Sequence, residues 1–80
     1  MANQSINTRG IGLELQRLRK ERKFTCAQVG DAIGVSASMI SRIETGRKEP
    51  TSELVASILT VLGVKGVERE QLIDQARRQG

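Results

Sequence analysis

The chain has 80 residues, 38% of them hydrophobic, and Phe24 is its one aromatic side chain. That length makes a single domain, near the lower limit at which a core holds without staples. Thirteen Lys and Arg against nine Asp and Glu leave a net charge of +4, while the lack of His and the single cysteine, Cys26, exclude an intrachain disulfide, a side-chain zinc site and a base-stacking aromatic platform.

The elements follow in chain order. Residues 1–8, MANQSINT, read as a flexible arm without the apolar run of a signal peptide. Residues 9–79 read as one all-α domain, because apolar positions recur with a helical period and no segment alternates as a strand would. A first helix is predicted from Arg9 to Lys23, with Ile11, Leu15 and Leu18 as its core stripe. Leu13 lies on the opposite side and needs other cover, from a C-terminal helix or a second chain. Thr25 and Gln28 form a capping box for a second helix that buries Val29 and Ile33 and ends at Gly34. Ser36 caps a third helix reaching Thr45, which Gly46 stops. Pro50-Thr51 opens a fourth helix with Leu54, Val55, Ile58, Leu59 and Leu62 on one face, and Gly63 closes it. A fifth spans about Val67 to Gln79, with Leu72, Ile73 and Ala76 apolar. No stretch approaches the ~20 apolar residues of a membrane span, and the lone thiol suits a reducing, cytoplasmic setting.

Charge is placed unevenly. Residues 1–24 hold six bases and two acids, whereas 25–50 and 51–80 are each balanced. A basic segment of this kind points to a polyanionic partner, with a solvated face as the plainer alternative.

The informative unit is residues 25–45, two short helices about a glycine turn. Gly30 has no side chain, so the next helix can cross closely, and Val29, Ile33, Val35, Ile40 and Ile43 lock the crossing. This is the specification of a helix-turn-helix. At ~100° per residue, Ser36, Ile40 and Ile43 fall on the core side of the third helix. Ser38, Ser41, Arg42 and Thr45 point outward, with Ala37 beside them. Short side chains at the leading end let a helix approach the base edges in a major groove. There Arg42 presents a bidentate fork suited to guanine O6 and N7, Ala37 a methyl for thymine, and Ser38 a donor or acceptor. Ser36 is an N-cap first and a phosphate ligand second. Arg47 and Lys48, directly after the helix, suit phosphate contacts. Glu44 is repelled by phosphate, and a pair with Arg19 would tie the first helix to the third. Cys26 reads as a small, inert filler.

These residues resemble the Cro/C1-type (Xre), phage-repressor-like family of helix-turn-helix domains. The resemblance covers about residues 11–64, through Ile11-Gly12-x-Glu14-Leu15-x-x-Leu18-Arg19, Gly34-Val35-Ser36 and Ile40-Ser41-Arg42-Ile43-Glu44-x-Gly46 with its basic pair and Pro50. SRIETGRKEP is especially similar to the actinobacterial branch. The resemblance implies a compact five-helix, lambda-repressor-like domain and a dimeric regulator of transcription, a repressor in the first instance, on an inverted repeat of double-stranded DNA. It implies base reading by Ala37, Ser38 and Arg42, phosphate contacts by Thr25, Cys26, Thr45, Arg47 and Lys48, and a structural ion pair between Arg19 and Glu44. Two departures stand out: Cys26 occupies a position usually held by Gln, and Ala37 replaces a commonly longer polar reader. The branch commonly carries a C-terminal sensing or partner-binding region, and the end of this chain at ARRQG suits either a fragment or a small stand-alone regulator. A second reading keeps the scaffold as a protein-interaction module or antitoxin-type partner with weak or lost DNA binding. An enzyme is not supported, since histidine, a metal cluster, a phosphate-cradling loop and an evident carboxylate pair are all missing, and no metal or cofactor is expected.

Overall fold

The computed structural model describes residues 10–79; the arm expected over residues 1–8, and Arg9, lie outside them. Among the described residues there are five helices and no strand: α1 Gly10–Glu21, α2 Cys26–Ile33, α3 Ala37–Glu44, α4 Ser52–Leu62 and α5 Gly66–Gln79. None is long and apolar enough to cross a membrane.

Capping decides where three of these helices begin. Thr25, Ser36 and Thr51 hold extended backbone, and each side-chain oxygen accepts the N–H three residues on: Gln28 at 3.0 Å, Met39 at 3.0 Å and Leu54 at 3.0 Å. Each such cap is worth about 1 kcal/mol against alanine. Thr25 makes the full box, because its own N–H donates to Gln28 Oε1 at 2.9 Å. At the other ends, Gly34, Gly46 and Gly63 turn left-handed after α2, α3 and α4.

α1 ends differently, and two residues earlier than its apolar period predicts. Lys23 takes φ 64, its N–H donates to the Lys20 carbonyl at 3.0 Å, and the Phe24 N–H donates to the Arg19 carbonyl at 3.1 Å. These are the two bonds of a Schellman cap. A lysine there carries a backbone strain of about 1 kcal/mol that glycine avoids.

The core sits where the helices meet. α2 packs on α3 and α4, α4 on α5, and α1 against α3, α4 and α5. Ile11, Leu15 and Leu18 of α1, Val29, Ile40, Ile43, Val55, Ile58, Leu59, Leu62, Leu72 and Ala76 are buried, joined by Val64 from the α4–α5 turn. Ile33, Leu54 and Ile73 are only half-buried at its edge. Leu13 stays 40% exposed, so α5 does not bury it.

Gly30 does its work against the turn and not the following helix. A Cβ at that position would lie 2.5 Å from the Val35 carbonyl oxygen and 3.2 Å from the Ser36 carbonyl carbon. The missing side chain lets the α2–α3 turn fold back onto α2, which sets the angle at which α3 leaves.

Candidate nucleic-acid interface

α3 divides into two faces. Ile40, Ile43 and Glu44 are buried, while Ala37, Ser38, Ser41 and Arg42 are exposed, as are Thr45, Arg47 and Lys48 after it. Ser36 departs from the expected placement beside Ile40 and Ile43, because it is exposed. The reason is local: an N-cap has extended dihedrals, here φ −78 and ψ 158, so the helical wheel does not apply to it.

Among the described residues Arg42 pairs with no carboxylate. Its fork is free for an external acceptor on a helix whose exposed leading residues, Ala37 and Ser38, are small.

The buried face of α3 is held from behind. Arg19 Nε donates to Glu44 Oε2 at 2.6 Å and its Nη2 to Oε1 at 3.0 Å, a fork-to-carboxylate pair. The third Arg19 nitrogen, Nη1, donates to the Phe24 carbonyl at 2.7 Å. Glu44 is 4% exposed and the Arg19 side chain 12%, so little water competes. The hydrogen bonds it donates to Glu44 hold the Arg19 guanidinium pKa above its ordinary value in spite of burial.

Two neighbours of this pair escaped the sequence reading. Gln16 Nε2 approaches Glu44 Oε1 at 3.4 Å, and Cys26 Sγ lies 3.9 Å from the same oxygen. Spacing carried a signal for Gln16, since Gly12, Gln16 and Arg19 share one side of α1. Nothing local marks Cys26, whose neighbour is 18 residues away in sequence. Burial first, then the charge on Glu44, pushes the Cys26 thiol up, so it stays protonated at neutral pH and is a poor nucleophile.

The hydroxyl candidates are not equivalent. Thr25 and Ser36 use an oxygen lone pair in capping, which leaves each O–H free to donate outward. Thr45 instead turns its hydroxyl inward, donating to the Ser41 carbonyl at 3.1 Å or the Arg42 carbonyl at 3.3 Å. A phosphate offers only acceptors, so Thr45 must give up that bond to reach one. Cys26 aims its sulfur at Glu44, and what it offers outward is its backbone N–H in the first turn of α2, where helical N–H groups have no internal acceptor.

The arrangement suits a ligand read along one exposed helix and held by anionic groups beside it. Among the described residues no cluster of His, Cys, Asp or Glu could hold a metal ion.

Comparison with known proteins agrees with this geometry. Residues 11–72 match the family model described as a helix-turn-helix domain. The transcriptional regulator ClgR of two Mycobacterium tuberculosis strains is 42% identical over 52 residues, covering 65% of this chain and 46% of that protein. An uncharacterized HTH-type transcriptional regulator of Sinorhizobium fredii, y4dJ, is 34% identical over 58 residues, covering 72% of this chain and 75% of that protein. The chain thus spans about half the length of the mycobacterial relatives. No solved structure matches it significantly. Because the family model spans the pair of helices that presents α3, together with the α1 residues that brace it, the chain belongs to the helix-turn-helix domain family of transcriptional regulators.

Proposed function

We propose that this chain is the DNA-binding domain of a Cro/C1-type, phage-repressor-like regulator of the actinobacterial branch, cytoplasmic and acting as a repressor. Two copies bind an inverted repeat, each placing α3 in a major groove. The observation that carries this reading is the outer face of α3: Ala37, Ser38, Ser41 and an unpaired Arg42, exposed on a helix anchored by a buried ion pair. Arg42 takes a guanine edge, Ala37 a thymine methyl, and Ser38 and Ser41 adapt to either strand. Thr25, Ser36, the Cys26 N–H, Arg47 and Lys48 hold the flanking phosphates, with Thr45 joining only by releasing its internal bond. Half-sites one helical turn apart then call for a two-fold dimer.

Selection of bound sequences from random duplex DNA at ~150 mM salt tests this. The expected product is a palindrome, and Arg42→Ala should lose about 1–3 kcal/mol and relax one G·C position in each half-site. Lys48→Ala should weaken all sequences alike and flatten the salt dependence by about one. If each copy neutralises ~4 phosphates, the salt slope of the dimer is roughly −7. Arg42→Ala with unchanged sequence preference would remove Arg42 as a reader. An absence of any enriched motif would favour the protein-interaction reading, for which exposed Leu13 and Val67, at 40% and 71%, are the available apolar contacts.

A further inference from the structure

We propose that Lys23, with Lys20 one turn before it, grips a DNA phosphate beside the half-site read by α3, an inference that rests on the DNA-binding reading above. Lys23 is the one non-glycine residue with positive φ among the described residues, at φ 64, whereas the corresponding positions after α2, α3 and α4 are Gly34, Gly46 and Gly63. The two cap bonds at this turn are backbone bonds, Lys23 N–H to Lys20 O and Phe24 N–H to Arg19 O, so glycine would make both without strain. A side chain kept in a strained conformation is a reason to look for a role outside the turn.

The surroundings of the two lysines supply that role. Both are exposed, and neither pairs with a carboxylate among the described residues. The two acids of α1 are engaged elsewhere: Arg17 bonds Glu14 and Glu21 at 2.7 Å each and reaches Glu68 of α5 at 3.1 Å. Arg17 thereby draws Glu14 and Glu21 to the side of α1 that faces Glu68 of α5, and among the described residues neither acid pairs with Lys20 or Lys23. Lys23 stands two residues before Thr25, whose hydroxyl and following N–H groups are already assigned to phosphate. Lys20 belongs to the same turn, since its carbonyl accepts the Lys23 N–H at 3.0 Å just before the chain reaches Thr25 and α2. An ammonium group on a long flexible stem is a non-specific phosphate ligand, so these lysines add affinity without sequence preference.

The competing role is structural, since cations at the end of α1 also complement its dipole. Stability and binding separate the two. The full chain and its Lys23→Gly, Lys20→Ala and Lys65→Ala variants are titrated by fluorescence anisotropy onto a random-sequence duplex from about 50 to 200 mM salt, alongside thermal unfolding. Lys65, in the α4–α5 turn, controls for the loss of one positive charge. Lys23→Gly is expected to melt several degrees higher and yet bind about fivefold more weakly at ~150 mM salt, with a slope flatter by about one per chain. Lys20→Ala should weaken binding similarly without the gain in melting temperature. Lys23→Gly binding no worse than Lys65→Ala, or melting lower than the parent chain, overturns the proposal while leaving the DNA reading intact. A parent chain that does not bind duplex even at ~50 mM salt overturns both.

Discussion

Gly12→Ala is expected to destabilise the domain by about 3 kcal/mol or more, out of roughly 4–12 kcal/mol for a chain of this size. Helix propensity alone predicts the opposite sign, because alanine is favoured over glycine in a helix interior by about 1 kcal/mol. The tertiary contact reverses it. A Cβ on Gly12 would run into the Ile43 carbonyl oxygen and lie 2.8 Å from that of Glu44. Those are backbone atoms of the last turn of α3, so no side chain can swing aside, and α1 and α3 must part. Separation would also pull Arg19 from Glu44, which adds to the loss. Thermal unfolding followed by circular dichroism should show a fall of roughly 12–24 °C at the usual size of the entropy term. Gly34→Ala is the comparison: nothing lies within 4 Å of its Cβ, so only left-handed strain of about 1 kcal/mol applies. A Gly12→Ala chain that melts above Gly34→Ala would show that α1 and α3 do not approach this closely.

Glu44→Ala should cost a similar amount, about 3–5 kcal/mol, for a different reason. It leaves the Arg19 guanidinium at 12% side-chain exposure with only the Phe24 carbonyl as partner, and it opens a void beside Ile43. Water cannot freely resolvate that charge, so the cost exceeds what a surface pair would lose. By contrast the Arg17 cluster, with side chains 45–51% exposed, contributes little, because water screens each of its pairs. A double-mutant cycle with Arg19→Ala and Glu44→Ala should give a coupling of about 2 kcal/mol, and strictly additive losses would refute a direct pair. Binding should fall together with stability, because Glu44 is the residue through which α1 sets the pose of the helix that carries Arg42.

Glu44 sits on α3 next to its exposed face, yet it is buried and its charge is offset by Arg19. Arg42, two residues earlier, is exposed and pairs with no carboxylate among the described residues. Burial separates a bracing residue from one open to an external partner, although both are charged and nearly adjacent.

The sequence by itself determined the five helices, the capping at Thr25 and Ser36, the opening of α4 at Pro50-Thr51, the helix ends at Gly34, Gly46 and Gly63, and the outward set Ala37, Ser38, Ser41 and Arg42. All of these rest on relations within three or four residues, which helical periodicity and backbone hydrogen bonding encode locally. Even the Arg19–Glu44 pairing was legible, since each residue flanks an apolar stripe. The tertiary structure decided the rest. It decided that Gly12 is a contact point for α3, that Gln16 and Cys26 complete the environment of Glu44, and that Leu13 stays open to solvent. It also decided that Lys23 takes a glycine-like conformation and that Thr45 turns its hydroxyl inward. Local pattern tells which way a side chain leaves its helix. How closely another helix approaches, and which carbonyl or carboxylate waits there, depends on the packing of segments far apart in sequence, as with Gly12 and Glu44 or Arg17 and Glu68, and no local rule contains that distance.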